Sequence, residues 1–582
     1  MTAPIRCLVL QLGDRAEVLQ SLVALKAAKQ LYPSLEITMI CREETARIPS
    51  EVSWIEQTIE LPIQNWATPM ASKKITAEDL LPEAAQWLAP LAGSTWDILA
   101  NWTFTHSSSY LGALIPARHR LGYTRRTDLD FSSGDGWSQF IQAYIQQSVP
   151  QNIHIIDLLT TQLLTALQIQ HGDPIDAGSQ AVTGKDFFTS IRTAGDKLLD
   201  PTRTWIGVQI DDFWTAKEWS RWMTLTLERH PEVQLVLLGD EAHREIARES
   251  ARITLQASLE EKRILNLVGE TDFDLWIDCL TQCHWLITST HYSANLASIL
   301  GTRVLEMCRD HSPDYTRAAY GNGHLLLSPT DISVPVVPEA TYAAWSYLHF
   351  EWSHRRTRSF EQHLDKLGFS RLTDWIDLRV SRIRPSEDGG GVNYESEFKR
   401  PLASKDWLAL VNGQIARLWH CGWTAKDGAE INRASIRPIL LQDLRSLDES
   451  SSVLLRVSQE AVRSAQQLNK KAIQLKSSKI MSIEDRQELE TMGRRILELQ
   501  KLVDRLAAAD AHLAGFSNLL QVMMHNLEGD HIAEVSRETA IAWQQVERGT
   551  ELLRRWVKHT LGLARPVALQ TTPETRRPEA EV

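Results

Sequence analysis

The sequence predicts an α/β protein with two Rossmann-like domains in tandem, followed by an all-α C-terminal helical module. Three observations carry this prediction. Short apolar runs alternate with helical patterns from the N-terminus, and the alternation restarts at Trp205-Ile206-Gly207-Val208-Gln209-Ile210. Beyond about residue 440 the strands give way to apolar residues at helical spacing among charges.

In chain order, Cys7-Leu8-Val9-Leu10-Gln11-Leu12 reads as a buried strand leading into a helix that ends at Leu31-Tyr32-Pro33. Glu36-Ile37-Thr38-Met39-Ile40 and Trp96-Asp97-Ile98-Leu99-Ala100 are further strands of a first domain over residues 1–185. The second domain, 186–340, adds Gln234-Leu235-Val236-Leu237-Leu238, Trp285-Leu286-Ile287 and Arg303-Val304-Leu305-Glu306-Met307. Such units build parallel sheets whose ligands lie outside the carboxyl ends of the strands. Residues 341–440 form a connecting segment. Within it, Ala340 to Leu367 reads as a helix able to cross back to the first domain, with a basic run at His354-Arg355-Arg356-Thr357-Arg358. Gly389-Gly390-Gly391 reads as a surface turn, with a phosphate cradle as the alternative. Residues 441–566 carry three main helices, near 453–475, 483–513 and 532–561, and a shorter one near 516–527. The polar, Pro-containing stretch 567–582 is expected to be disordered.

With 582 residues the chain exceeds what one core supports, and its 43% hydrophobic and 23% charged content is that of a globular protein. A net charge of −11 argues against general nucleic-acid binding. Six cysteines without a Cys-x-x-Cys pair point to a reducing compartment, and no apolar run has the length of a membrane span. The expected location is cytoplasmic, including a peripheral position at the inner face of the inner membrane. No metal-ligand spacing is evident, so neither a metal nor a cofactor is expected beyond a nucleotide diphosphate sugar as substrate.

The most informative stretch is Thr288-Ser289-Thr290-His291-Tyr292-Ser293-Ala294-Asn295, which joins an apolar strand to an apolar helix. Hydroxyls and N–H groups at the positive end of a helix suit a phosphate, and equally suit an ordinary N-cap cluster. Upstream lie Leu238-Gly239, Asn266-Leu267-Val268-Gly269 and Arg118-His119-Arg120-Leu121-Gly122-Tyr123. Taken in chain order over roughly the first 330 residues, these motifs resemble those of glycosyltransferase family 9, the lipopolysaccharide heptosyltransferases. Its signposts include an opening strand with a Gly-Asp turn, an Arg-x-x-Arg-x-Gly-Tyr/Phe element, a Leu-x-Gly strand end, an Asn-Leu-x-Gly element and a late Asp-Thr-Gly-Pro-x-His turn.

The resemblance implies the GT-B arrangement of two facing domains and an inverting sugar transfer in the bacterial cell envelope. Aligning the first helix places Glu17 where the family has its catalytic Asp; Asp14 of the visible Gly13-Asp14 pair is the second candidate. On the donor side the alignment gives Ser289, Thr290, Ser293, Asn295 and Glu241. There Thr290 replaces the family's Asp, Asn295 its His, and Asp212 a donor-contacting lysine. For the acceptor side, Arg118, Arg120, Arg125 and Arg126 cluster in sequence with Trp102 and His106, as suits a phosphorylated or carboxylated sugar and equally a solvated patch.

The expected function is therefore an inverting glycosyltransferase. It would move a sugar from a nucleotide diphosphate onto a lipopolysaccharide-like glycan or a surface protein. The altered donor turn leaves a second reading open, a degenerate relative that binds a nucleotide sugar or a protein partner without turnover. The C-terminal helices are the expected site of a protein partner or of self-association.

Overall fold

The structure, a computed structural model, describes residues 4–72, 76–125, 131–133, 135–145, 153–171, 187–188, 198–256, 263–309, 317–329, 335–354, 360–367, 378–385, 392–396, 438–476, 482–527, 529 and 531–564. Arg126, the basic run at 355–358, the triple-glycine turn and the 567–582 tail lie outside them.

The chain divides into two compact units, Met1–Ser138 with Asn152–Phe398, and Gln139–Gln151 with Lys399–Val582. The first unit contains two sheets. Sheet one is built from β1 (Ile5–Leu10), α1 (Arg15–Leu31), β2 (Leu35–Arg42), α2 (Glu43–Ser50), β3 (Gln57–Leu61), α3 (Ile63–Ala71), α4 (Ala77–Ala92), β4 (Trp96–Asn101), α5 (His106–Leu114), β5 (Ala117–Arg125) and β6 (Phe131–Ser133). The strand order is β3-β2-β1-β4-β5-β6, parallel except for the last strand. β1 is buried along nearly its whole length because helices cover both faces, which is why it reads as a continuous apolar run. α6 (Gly136–Phe140) and α7 (Ile155–His171) follow, and α7 lies against α1.

Sheet two uses β7 (Thr204–Gln209), α8 (Ala216–Arg229), β8 (Val233–Leu238), α9 (Arg244–Gln256), β9 (Ile264–Asn266), α10 (Phe273–Gln282), β10 (Trp285–Thr288), α11 (His291–Ile299), β11 (Arg303–Met307), β12 (His324–Pro329), α12 (Pro338–His354), α13 (Phe360–Leu367), β13 (Leu378–Pro385) and β14 (Val392–Ser396). Its eight strands run β14-β13-β12-β11-β10-β7-β8-β9. The core is dense in tryptophan: Trp219, Trp222, Trp285 and Trp345 are fully buried beneath α8 and α12. The prediction of two Rossmann-like domains holds. The single helix expected over 340–367 is two helices among the described residues. The antiparallel β13–β14 hairpin that follows was not expected, because Arg379, Ser381, Arg382 and Arg384 leave Leu-Arg-Val-Ser-Arg-Ile-Arg-Pro with neither an apolar run nor a regular two-residue alternation.

Among its described residues the second unit is helical, with α14 (Pro438–Lys476), α15 (Ile483–Ala509), α16 (Ala514–His525) and α17 (Ile532–Ala564). α14 starts well before the sequence suggests. Its buried positions Leu444, Leu447, Ser451, Leu454, Ser458, Ala461, Ala465, Leu468 and Ala472 follow a 3–4 spacing. They pack along α17, whose interior residues include Ser536, Ala540, Trp543, Thr550 and Leu553. Small residues along both helices let their backbones approach closely. α16 packs on the π-helical turn Ile141–Ile145, where Tyr144 stacks on Phe140 at 4.4 Å. Gly515 makes this possible, since a Cβ there would lie 2.1 Å from the Tyr144 ring. Among the described residues no helix is long and apolar enough to cross a membrane.

Candidate functional site

In each sheet of the first unit the strand order reverses at one place, between β1 and β4 in the first and between β7 and β10 in the second. Loops leaving neighbouring strands in opposite directions open a crevice there. α1 and α11 start at these two crevices and pack on each other. Glu17 Oε1 of α1 lies 3.4 Å from the Arg317 guanidinium, Gln20 donates to the Arg317 carbonyl at 3.3 Å, and the Arg15 guanidinium sits over the Tyr292 ring at 5.7 Å. Further contacts join the domains, among them the Tyr320 hydroxyl donated to Asp157 at 2.7 Å, His154 Nε2 at 2.7 Å from the Ala318 carbonyl, and Arg47 paired with Asp274 at 2.9 Å. The turns that carry Glu17 and His291 therefore open on one cleft.

The β1–α1 turn is rigid. Asp14 and Glu17 form a capping box, in which the Glu17 N–H donates to Asp14 Oδ1 and the Asp14 N–H to Glu17 Oε2, both at 2.9 Å. Both candidate bases are thus helix-start acids. A carboxylate has about four lone-pair sites, so Glu17 keeps capacity on Oε1. A Cβ at Gly13 would fall 1.8 Å from Glu17 Oε2, so a side chain there would push the carboxylate out of this position. Buried Gln11 ties the turn to α1, donating to Ser21 Oγ at 2.7 Å while its Oε1 accepts from the Gly13 N–H at 3.0 Å.

On the other side the hydroxyl turn is knotted inward. Gln209 Oε1 accepts from the hydroxyls of Thr288 and Thr290 at 2.7 and 2.9 Å, and Thr290 caps the Ser293 N–H. Ser289 donates its hydroxyl to Asp211, whose carboxyl is pushed upward mainly by burial. Ser293 and Asn295 are fully buried. Asn295 donates to the carbonyls of His291 and Arg317, both at 2.8 Å, so it holds the cleft wall. Neither side chain has the exposure a ligand contact needs, because a helix whose far side packs on the sheet turns residues three and five positions in toward the core. Glu241 is well exposed, paired with Arg244 at 2.5 Å at the end of β8.

The chemistry of this wall lies in residues not singled out from sequence. His291, the first residue of α11, places Nδ1 2.6 Å from Oε1 of Glu306, a carboxylate with no solvent exposure. Glu306 Oε2 accepts the Ala319 N–H at 2.9 Å. The imidazole, about one-third exposed, is thus held at a helix N-terminus by a buried acid. A lone acid inside the apolar strand Arg-Val-Leu-Glu-Met was the available signal. Tyr292, whose phenol is pushed up to about 12 mainly by burial, stands between Arg15 and Asp240. Beside Asp212, where the resemblance expects a cation, the guanidinium of Arg309 approaches from the end of β11 and donates to the Asp212 carbonyl.

The expected acceptor cluster separates. Trp102 is 2% exposed and donates to Gln162 at 2.8 Å, so it is core and not cleft. Arg118 sits at the start of β5, at the opposite edge of the sheet, paired with Asp97 at 3.0 Å. Arg120 spans the α5–β5 turn, donating to the Gly112 and Ile115 carbonyls at 2.6 and 2.7 Å. Nearness in sequence misled here, because a strand rises about 3.3 Å per residue and carries its two ends to opposite edges. His106 and Arg125 do meet at the carboxyl edge. Arg125 donates to the His106 carbonyl at 3.3 Å and lies over Tyr110 at 3.9 Å. The loop before them is fastened to the β1–α1 turn, since the Leu12 N–H donates to Thr103 Oγ1 at 2.9 Å. It also contains Phe104 at φ 51°, the one non-glycine residue at positive φ among the described residues, a conformation costing about 1–3 kcal/mol.

No protein-family model and no curated protein matches the sequence. Among solved structures, the chain is similar to the E. coli heptosyltransferase WaaC with ADP, at 14% identity and a TM-score of 0.45, over 59% of this chain and 100% of that one. It is similar to a family 9 glycosyltransferase from Veillonella parvula, at 15% identity and a TM-score of 0.45, over 60% of this chain and 99% of the other. The E. coli ADP-heptose lipopolysaccharide heptosyltransferase II is similar at 15% identity and a TM-score of 0.39, over 60% and 100%.

Proposed function

We propose that the first unit is an inverting glycosyltransferase whose donor is a nucleotide diphosphate sugar and whose acceptor is a lipopolysaccharide-like glycan or a surface protein. The observation that carries this reading is the juxtaposition of a carboxylate and a phosphate-type helix start across one cleft, with Glu17 Oε1 3.4 Å from Arg317 and α1 packed on α11. In the reaction, Glu17 takes the proton of the acceptor hydroxyl. That oxygen forms a bond to the anomeric carbon as the bond from the same carbon to the diphosphate oxygen breaks, and the nucleoside diphosphate leaves with the electron pair. Asp14 orients Glu17 through the capping box.

The leaving diphosphate gathers negative charge, which the N-terminus of α11, the His291 imidazole and the Arg309 guanidinium are placed to stabilise. Thr290 shapes that turn as its cap, Ser289 meets the donor once Asp211 releases it, and Glu241 borders the nucleoside side. His106 and Arg125 receive an anionic acceptor. The helical unit recruits a protein acceptor or a second copy of the chain.

A second reading, binding without turnover, is favoured by the inward-turned hydroxyls and the burial of Ser293 and Asn295. Glu17→Gln separates the two. It is nearly isosteric, keeps the cap and cannot take a proton. Hydrolysis or transfer of a nucleotide sugar by the wild type should fall at least a hundredfold in the variant with nucleotide affinity retained. Turnover equal in both proteins would remove Glu17 from the reaction, and a wild type that binds without turnover would establish the second reading.

A further inference from the structure

At the opposite edge of the second sheet, away from the cleft, three ligand-type side chains converge from separate elements. His230 ends α8, Glu232 immediately precedes β8, and His349 lies on α12. Glu232 Oε1 is 3.4 Å from His230 Nδ1 and 3.2 Å from His349 Nε2, and one ligand atom from each of the three residues lies within 4.8 Å of the others. We infer that these residues form a zinc site in which two imidazoles and one carboxylate bind the ion and solvent completes its coordination.

The spacing fits the chemistry. Around a tetrahedral ion with bonds of about 2.0–2.1 Å, neighbouring ligand atoms are about 3.3 Å apart. Both distances to Glu232 match that value, so small rotations of side chains would close the shell. The ring orientations are set from behind. His230 Nε2 lies 3.1 Å from the Tyr342 hydroxyl, which turns Nδ1 toward Glu232. His349 stacks on Trp345 with centroids 5.0 Å apart and planes at 17°, and His230 meets the edge of the same indole at 4.9 Å. Such outer contacts are what fix imidazole ligands in metal sites. His349 is buried while Glu232 is half exposed, so the site is walled on one side and open on the other. Two imidazoles and one carboxylate with a solvent position are a donor set that tetrahedral zinc takes.

Bound there, the ion clips α12 to the α8–β8 corner. It takes no part in chemistry at the cleft, which lies at the other ends of these strands. The competing arrangement is a purely hydrogen-bonded set, with both imidazoles donating N–H to Glu232.

The test uses untagged full-length protein stripped with a chelator and titrated with zinc chloride by calorimetry. The inference expects one equivalent bound with sub-micromolar affinity, weakened at least tenfold in Glu232→Ala, a half-exposed position where folding is retained and can be checked by circular dichroism. Cobalt substitution should give four-coordinate visible bands without a thiolate charge-transfer band, which separates this site from cysteine binding. No stoichiometric zinc uptake, or wild-type affinity in both Glu232→Ala and His349→Asn, would overturn it.

Discussion

Replacing His324 by Asn should flatten the acid side of the stability profile. His324 opens β12, is 4% exposed, and its Nδ1 accepts the Val304 N–H at 3.2 Å, a bond that only the unprotonated nitrogen can accept. Burial first, then the neighbouring Arg303 guanidinium, pushes the imidazole down to about 4. In the unfolded chain it titrates near 6.5. The folded value is the depressed one, so the contribution is fully present above about pH 6.5. It is lost as pH falls toward about 4, because the unfolded chain takes up a proton that the native state refuses. At about 1.36 kcal/mol per unit, the whole window is worth about 3 kcal/mol, of which about 2 kcal/mol is gone between pH 7 and pH 5. Asn places a non-titrating oxygen where Nδ1 accepts. Urea denaturation followed by tryptophan fluorescence at pH 7 and pH 5 should therefore show a drop smaller by about 2 kcal/mol in His324→Asn than in wild type. Other titrating groups are common to both proteins and cancel in that difference. An identical drop in the two proteins would refute the reasoning and mean that His324 is not held neutral.

Two further substitutions test separate parts of the account. Arg125→Ala should raise the acceptor KM about tenfold with little change in donor affinity, while Arg118→Ala, at the far edge of the sheet, should leave kinetics unchanged; steady-state rates with each variant decide, and an effect confined to Arg118 would reverse the assignment. Gly515→Ala puts a methyl 2.1 Å from the buried Tyr144 ring, which is already stacked on Phe140 and has little room to yield. Overpacking of this kind costs about 1–3 kcal/mol, and hydrogen exchange should show faster opening of residues 139–145, with unchanged protection as the contrary result.

How much of this was legible in the sequence follows from what local patterns encode. Strands buried on both faces, such as Val233–Leu238 and Trp285–Thr288, announce themselves as apolar runs, and so both sheets could be read. β13 could not, because Ser381 and three arginines interrupt its apolar residues before any run or regular alternation forms. The helix start after β10 was legible from its hydroxyls, but their destinations were not. Thr288 and Thr290 turn to Gln209, and Ser289 to Asp211, partners nearly eighty positions or more away. Conversely His291 carried no assignment from sequence, because its partner Glu306 lies fifteen positions away on the next strand. The Arg118–Arg125 run shows the opposite error, a cluster in sequence that the extended backbone spreads along a strand. The association of Gln139–Gln151 with the helical unit left no local trace, since nothing in a short segment names its distant partner.

The central claim is that the cleft between α1 and α11 binds a nucleoside diphosphate at the helix start held by His291 and Glu306. Calorimetric titration of ADP, UDP and GDP into the full chain, repeated with His291→Ala, tests it most directly. The account predicts saturable one-to-one binding of at least one of them, weakened about tenfold in the variant, as expected for loss of a charge-assisted contact worth about 1.5 kcal/mol. No binding of any of the three, or equal affinity in the two proteins, would contradict it.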